Sequence, residues 1–334
     1  MALPKKFSRR LFGGVLLGVV IYLGIVLWAD AGKVAHALRS LPLWVLPAAC
    51  GLSLCNYVIR FWKWQRYLDL LGIQIERRAS WLVYFSGFAL SVTPGKLGEV
   101  FKSWLLKRLA GTSISTSAPI VIAERFTDLL AYLILIAFGG IASYPEFQWV
   151  FWLTLALSGV GLALAGSRAF ARLTARLLKR TPYLWRISEK VEVSFESTRI
   201  LLAPREIVLP TLISVVGWGM ECTGFWLIAN ALGGEASITF STAVFAYALG
   251  AVAGAVVLIA PGGLGLTEFS IGTILRRKYE ESAPGAVLLD VVQAKATTVV
   301  LLTRLCTLWF AVVLGLIATS IFTKVYGEVS EQEN

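Results

Sequence analysis

The sequence predicts an all-α polytopic membrane protein built as a single transmembrane domain over 1–334. It calls for six or more transmembrane helices plus two oppositely oriented re-entrant helical hairpins, an inverted repeat. Three observations predict this. Hydrophobic residues make up 57% of the 334 positions and charged ones 15%, with a mean hydropathy of +0.73, a composition no ordinary soluble domain has. Several apolar runs reach the roughly 20 residues that a helix needs to cross a hydrocarbon core. Two further apolar runs are too short to cross, and both end in a Pro-Gly-x-Leu-Gly sequence followed by a carboxylate: Pro94-Gly95-Lys96-Leu97-Gly98-Glu99 and Pro261-Gly262-Gly263-Leu264-Gly265-Leu266-Thr267-Glu268.

The crossing segments are read at 11–29, 43–61, 117–142, 149–166, 207–232 and roughly 294–322. Lipid offers no partners to backbone amides and strand-like alternation is absent, so each must be a helix. The first could be confused with a cleaved leader because Ala29-Asp30-Ala31 faintly imitates a cleavage site, but its length favours retention. Basic residues gather beside particular spans. Lys5, Lys6, Arg9 and Arg10 precede the first, Arg60, Lys63, Arg66, Arg77 and Arg78 follow the second, and 167–206 carries nine basic and four acidic residues. The positive-inside rule then places the N-terminus and these segments in the cytoplasm. Within 167–206, Arg168, Arg172, Arg176 and Arg180 recur every four residues while Phe170, Leu173 and Leu177 fall elsewhere on the helix. That pattern reads as a basic amphipathic helix on the anionic inner leaflet.

The two Pro-Gly segments sit inside hairpins at about 81–109 and 241–277, with three crossings between them, so the second enters from the opposite face. The repeats then span about 43–142 and 207–322. Interrupted helices at corresponding places in two halves are a pointer to a transport site near the bilayer midplane. Arg276-Arg277-Lys278 falls on the outer side in this topology, against the charge rule, with Glu280 and Glu281 as a partial offset.

A net charge of +11 could indicate nucleic acid, but the cations lie beside spans, so nucleic acid is not expected as a partner. Cys50, Cys55, Cys222 and Cys306 fall in apolar segments and His36 stands without a second ligand nearby. No metal, disulfide or cofactor is expected. No Gly-x-x-x-x-Gly-Lys-Ser/Thr run is present, so transport, if any, is passive or ion-coupled.

At membrane depth, Pro94 and Pro261 stop the incoming helix, while Gly95, Gly98, Gly262, Gly263 and Gly265 allow backbone angles that other residues avoid. The helix that follows starts with open N–H groups and a positive dipole end, which suits an anion such as a lipid phosphate. Lys96 adds a point charge. Glu99 and Glu268, in the first turn of each following helix, either cap it or take part in the site. Glu124, Arg125 and Asp128 form a second cluster, with Arg125 roughly 12 Å inside its span by helical rise. An ionisable group there costs several kcal/mol unless paired or wetted. Arg125 and Asp128 are spaced to pair on one face, which leaves Glu124 for another helix. The last apolar segment carries Asp290, Lys295 and Arg304 among Thr297, Thr298, Thr303 and Thr307. Lys295 and Arg304 lie on opposite sides of a straight helix, so either the helix breaks near Thr297 or only one lines a cavity, with Arg304 favoured. Glu221 is a lone carboxylate in the fifth span.

The run 84–128, with Pro94-Gly95-Lys96-Leu97-Gly98-Glu99, Arg108 and Glu124-Arg125-x-x-Asp128, together with Pro261-Gly262-Gly263-Leu264-Gly265-x-x-Glu268, resembles the lysylphosphatidylglycerol synthase transmembrane family. This is the flippase-like membrane domain of the multiple peptide resistance factor, also found as stand-alone proteins. The resemblance implies a prokaryotic cytoplasmic (inner) membrane protein with re-entrant helices that moves lipids between leaflets, and it implies substrate-binding roles for the residues just quoted. The family's aminoacyl-transferring members append a further membrane segment and a soluble catalytic domain. The chain ends at Asn334, soon after its last span, so lipid aminoacylation is not expected. Stand-alone relatives are associated with hopanoid, cardiolipin or polyprenyl-linked glycan pathways.

The resulting expectation is a transporter, not an enzyme, for an anionic phospholipid or a polyprenyl-phosphate-linked lipid. Glycine turns and the guanidinium groups of Arg125 and Arg304 would receive the phosphate, and Glu99, Glu124, Asp128 and Glu268 would neutralise these cations between visits. Membrane lipids are the expected partner, and a homodimer or a lipid-biosynthesis enzyme partner is compatible with the sequence. Two other classes remain open. One is a membrane-embedded transferase or phosphatase on polyprenyl phosphate, with Glu124, Asp128 or Glu268 as base. The other is a non-catalytic membrane partner that recruits enzymes through 167–206.

Overall fold

The computed structural model describes residues 41–92, 97–180, 185–234, 236–256, 265–282 and 289–326, with Gly32 and Arg39. All regular structure among these residues is helical. In chain order the helices are α1 (Val45–Leu70), α2 (Arg77–Ser86) continued by a 3-10 turn (Gly87–Leu90), α3 (Leu97–Ala110), α4 (Ile114–Ser117), α5 (Pro119–Phe138), α6 (Gln148–Gly166), α7 (Arg168–Arg180), α8 (Trp185–Leu201), α9 (Pro204–Gly233), α10 (Phe240–Val256), α11 (Leu266–Ser282), α12 (Leu289–Arg304) and α13 (Phe310–Tyr326). A π-helical segment, Leu305–Trp309, joins the last two.

Prolines start helices where the missing donor costs nothing: Pro119 and Pro204 stand in the first turns of α5 and α9. Ser113 caps α4 by accepting a 3.1 Å bond from the Thr116 amide. Among the described residues, four stretches are long and apolar enough to cross a membrane: Val45–Leu70, Pro145–Gly166, Pro204–Gly233 and Val291–Tyr326. The expected span 11–29 lies outside the described residues. The expected span 117–142 is α5, a helix of 20 residues that carries Glu124, Arg125 and Asp128. On α6 only Thr154 and Ser158 are buried, while Trp149, Trp152, Leu153 and Leu157 are exposed, the surface of a helix facing acyl chains.

α1 lies along α9, which also packs on α5, α10 and α12. Two helix pairs dock on this frame. In the first half, α2 and its 3-10 turn pack against α3 and against α13; in the second, α10 packs against α11 and α5. The segments that link the members of each pair in sequence, with Pro94, Gly95, Lys96, Pro261, Gly262 and Gly263, lie outside the described residues. A glycine-dependent contact joins the first pair to α13, and another joins the two members of the second pair. A Cβ on Gly315 of α13 would stand 2.7 Å from the Phe88 carbonyl carbon, and one on Gly250 of α10 would stand 2.6 Å from Ile271 Cγ1 on α11. Among the described residues the two larger apolar clusters of the core lie around Phe225, Phe245 and Ile271 and around Trp64, Tyr67 and Leu106.

The basic segment after α6 is two helices. On α7, Phe170 meets Phe195 of α8 edge-on at 5.7 Å, while Leu173 and Leu177 are exposed beside Arg168, Arg172 and Arg176. The single apolar face read from sequence is therefore divided between helix packing and the surface. α8 in turn holds the start of α5's approach, with Ser194 Oγ donating to the Ser115 carbonyl at 2.9 Å.

The basic triplet of α11 is fully paired. Arg276 meets Glu280 at 3.1 Å, Arg277 meets Glu146 at 2.5 Å and Glu281 at 3.0 Å, and Lys278 meets Glu281 at 2.7 Å. The Lys278 ammonium holds the Glu281 carboxyl below the usual carboxylate range.

Candidate functional site

α1 presents Asn56, Arg60 and Lys63 on one face at helical spacing, toward α5 and α9. Arg60 is 7% exposed and Lys63 is 0% exposed, so neither belongs to a cytoplasmic loop, as the charge pattern had indicated. They are buried because Asp128 of α5 stands between them. Arg60 Nη2 donates to Asp128 Oδ2 at 2.6 Å, and Lys63 Nζ donates to Asp128 Oδ1 at 2.7 Å. Ser214 Oγ of α9 also donates to Oδ1, at 2.9 Å, and accepts from Lys63 Nζ at 2.7 Å. Thr127 Oγ1 and the Glu124 carbonyl complete the lysine's surroundings at 3.3 and 3.4 Å. Charges this deep are tolerable only when paired and hydrogen-bonded, as these are.

Arg125 reaches the same carboxylate more loosely, with Nη1 at 3.6 Å from Asp128 Oδ2 and its side chain 42% exposed. The pairing expected between Arg125 and Asp128 is therefore present but secondary. The main partners of Asp128 come from α1. Glu124 turns the other way and receives Lys102 Nζ of α3 at 2.6 Å. The Lys102 ammonium also lies 4.6 Å from the centre of the Trp64 ring, a cation–π contact.

In the second half, Glu268 opens α11. One of its oxygens, Oε2, accepts the Gly265 N–H at 2.6 Å, and the other, Oε1, accepts from Arg304 Nε of α12 at 2.6 Å. Glu268 thus caps its helix and holds a cation at the same time. The Gly265 amide, expected to be open to an anion, is already engaged. Glu221 of α9 has two neutral donors, Asn56 Nδ2 at 2.5 Å and the Tyr247 hydroxyl.

These groups surround one cavity of about 210 Å³. Its wall takes Arg60 and Tyr57 from α1, Tyr84 and Phe88 from the first helix pair, Lys102 from α3, Glu124, Arg125 and Tyr132 from α5, Trp218 and Glu221 from α9, Tyr247 and Thr267 from the second pair, and Arg304 and Thr307 near the π segment. Both halves of the chain therefore contribute to it. Arg60 stacks over Trp218 with its guanidinium carbon 4.5 Å from the ring centre. The π segment begins directly after Arg304, where Tyr57 donates its hydroxyl to the Thr307 carbonyl at 2.6 Å. Such irregularities inside helices are frequent at functional sites. α12 runs unbroken through Thr297, so the irregularity sits at 305–309 and not near Thr297 as one sequence alternative had it.

Of the residues singled out from sequence, Glu124, Arg125, Glu221 and Arg304 line the cavity, with Asp128 and Glu268 directly behind them as ion-pair partners. Two do not join it. Arg108, near the C-terminal end of α3, is exposed and lies over the Trp104 ring at 4.8 Å, because its position carries it both along and around the helix away from Lys102. Lys295 donates to the Gly233 carbonyl at 3.2 Å, on the side of α12 opposite Arg304. The side chains of Glu99 and Asp290 lie outside the described residues, and Gly98 falls in the first turn of α3. Thr297, Thr298 and Thr303 each return their hydroxyl to the carbonyl four residues back, at 2.7–2.8 Å, which removes them as cavity polar groups.

Sequence reading missed Arg60, Lys63 and Lys102, together with Asn56, Trp218 and the tyrosines. A signal existed for the first two: Asn56, Arg60 and Lys63 share one helical face and continue the apolar run of 43–61 instead of ending it.

The sequence matches the lysylphosphatidylglycerol synthase TM region family over residues 15–315. A UPF0104 membrane protein of Pyrococcus horikoshii is 23% identical over 328 residues, 90% of this chain and 94% of its own length. Another of that designation, from Methanothermobacter thermautotrophicus, is 22% identical over 341 residues, 96% of this chain and 97% of its own length. The inner membrane protein YbhN of Escherichia coli is 26% identical over 279 residues, 80% of this chain and 79% of its own length. The match covers both helix pairs and every residue of the cavity wall, and the chain belongs to the lysylphosphatidylglycerol synthase TM region family.

Proposed function

We propose that the protein carries an anionic lipid between leaflets, seating the phosphate in the cavity while the acyl or prenyl chains stay in the bilayer. The observation that carries this reading is the charge of the cavity wall, where Arg60, Lys102, Arg125 and Arg304 face two carboxylates, Glu124 and Glu221. Arg125 is the most accessible of the three arginines by side chain and has the planar donor fork that suits phosphate. Arg304 provides a second such group from the other half. Between visits Asp128, Glu124 and Glu268 hold these cations, so an empty cavity leaves no bare buried charge.

In this reading the two helix pairs are re-entrant hairpins of opposite orientation within six or more crossings, and the N-terminus is cytoplasmic. The family name refers to a phosphatidylglycerol derivative, and phosphatidylglycerol carries the anionic phosphodiester that the wall fits. The protein is read as a transporter with no catalytic residue and no cofactor.

Mass spectrometry of lipids that co-purify with the wild type and with Arg125→Ala tests this. One phosphate-bearing lipid class is expected to be depleted in the variant. An unchanged lipid profile counts against the reading.

A further inference from the structure

Glu221 differs from every other carboxylate of the site. Glu124, Asp128 and Glu268 each meet a cation at 2.6–2.7 Å, whereas Glu221, only 4% exposed, meets no cation at that range among the described residues. Its partners are the amide of Asn56 on α1 and the hydroxyl of Tyr247 on α10. Around it also stand Tyr57 and Arg60 from α1, Tyr132 from α5, Arg304 from α12, and Trp218 and Cys222 from its own helix. The two arginines are held by Asp128 and Glu268.

Asn56 carries a second peculiarity. It is fully buried, and its Oδ1, which lies against Gly217, accepts no hydrogen bond. A half-turn of the amide exchanges Nδ2 for Oδ1 and leaves the shape of the side chain unchanged. With Glu221 ionised, Nδ2 donates to Oε1. With Glu221 protonated, Oδ1 is the acceptor its O–H requires. The pair therefore serves both protonation states without moving backbone.

We propose that Glu221 is a proton-binding site linked to the anion in the cavity, taking up one proton as a lipid phosphate enters and releasing it to water as the phosphate leaves. A phosphate drawn to Arg60 and Arg304 adds negative charge beside Glu221, which favours its neutral form. By reciprocity, protonation removes a like charge and strengthens phosphate binding. The loaded site then moves a phosphodiester and a proton together, with no net charge to carry through the hydrocarbon, and a proton gradient can set the direction. This rests on the lipid-carrier reading above.

The test uses the full chain in nanodiscs of zwitterionic lipid, titrated calorimetrically with dihexanoyl phosphatidylglycerol between mildly acidic and mildly basic pH. Each pH is run in two buffers of different ionisation enthalpy. The probe's phosphodiester stays monoanionic throughout, so any pH dependence belongs to the protein. The wild type should take up close to one proton per lipid at the basic end, where affinity falls about tenfold per pH unit. Glu221→Gln should bind with no uptake and a flat pH profile. Tyr247→Phe, which removes a donor to the ionised carboxylate but keeps the ring, should move the fall to higher pH. Lipid binding without uptake, or uptake that persists in Glu221→Gln, overturns the proton site and leaves the lipid reading standing. A wild type that binds no lipid overturns both.

Discussion

Lys102 of α3 stands 2.6 Å from Glu124 of α5, and the second half repeats the arrangement with the signs exchanged, Glu268 of α11 meeting Arg304 of α12 at 2.6 Å. In each half the second helix of a docked pair is tied to the frame by one buried ion pair, and both pairs border the same cavity. Removing one member leaves the other charge buried and uncompensated, which costs about 3–5 kcal/mol. Lys102→Met should therefore lower the thermal unfolding midpoint in detergent sharply. Adding Glu124→Gln should recover part of the loss, with a coupling of about 0.5–3 kcal/mol by double-mutant cycle.

Asp128 is the more demanding position because it holds Arg60 and Lys63 together. Asp128→Asn should destabilise more than Lys102→Met in the same unfolding assay. Ser214→Ala removes one neutral hydrogen-bonding group from the cluster and should cost only about 1 kcal/mol.

The glycine contacts predict a position-dependent penalty. Gly250→Leu and Gly315→Leu push a side chain into atoms already at 2.6–2.7 Å from the Cβ position and should each cost about 1–3 kcal/mol by overpacking. A Cβ on Gly219 meets nothing within 4 Å, and Gly219→Leu should leave the unfolding free energy within about 0.5 kcal/mol of wild type.

Helical character and the burial of Glu124 and Asp128 were legible in the sequence, because a charge inside an apolar run is conspicuous, whereas Arg125 of the same cluster keeps its side chain 42% exposed. Arg60 and Lys63 were not, because they stand near the end of an apolar run, where basic residues ordinarily mark a membrane face. Their shared helical face with Asn56 was the one hint that the helix continues past them, and the partner across space, Asp128, shows why they are buried. Lys102 was hidden for the same reason: its acid lies two helices later. Arg108 was assigned to the site through the family resemblance and Lys295 as the less favoured of two cations in the last apolar segment; neither lines the cavity, since Arg108 lies over Trp104 and Lys295 donates to the Gly233 carbonyl. The glycine turn before α11 was read as offering amides to an anion, yet Glu268 reaches back to take the Gly265 N–H, a local competition that sequence leaves undecided.

The central claim is that a lipid phosphate passes through the cavity under the hand of Arg125. Proteoliposomes loaded with a fluorescent phosphatidylglycerol in both leaflets, then treated with an impermeant quencher, measure it most directly. Wild-type protein should expose the inner-leaflet probe to quenching, and Arg125→Ala should abolish that exposure while its unfolding free energy stays within about 0.5 kcal/mol of wild type. Equal exposure with Arg125→Ala, or none with the wild type, would contradict the account.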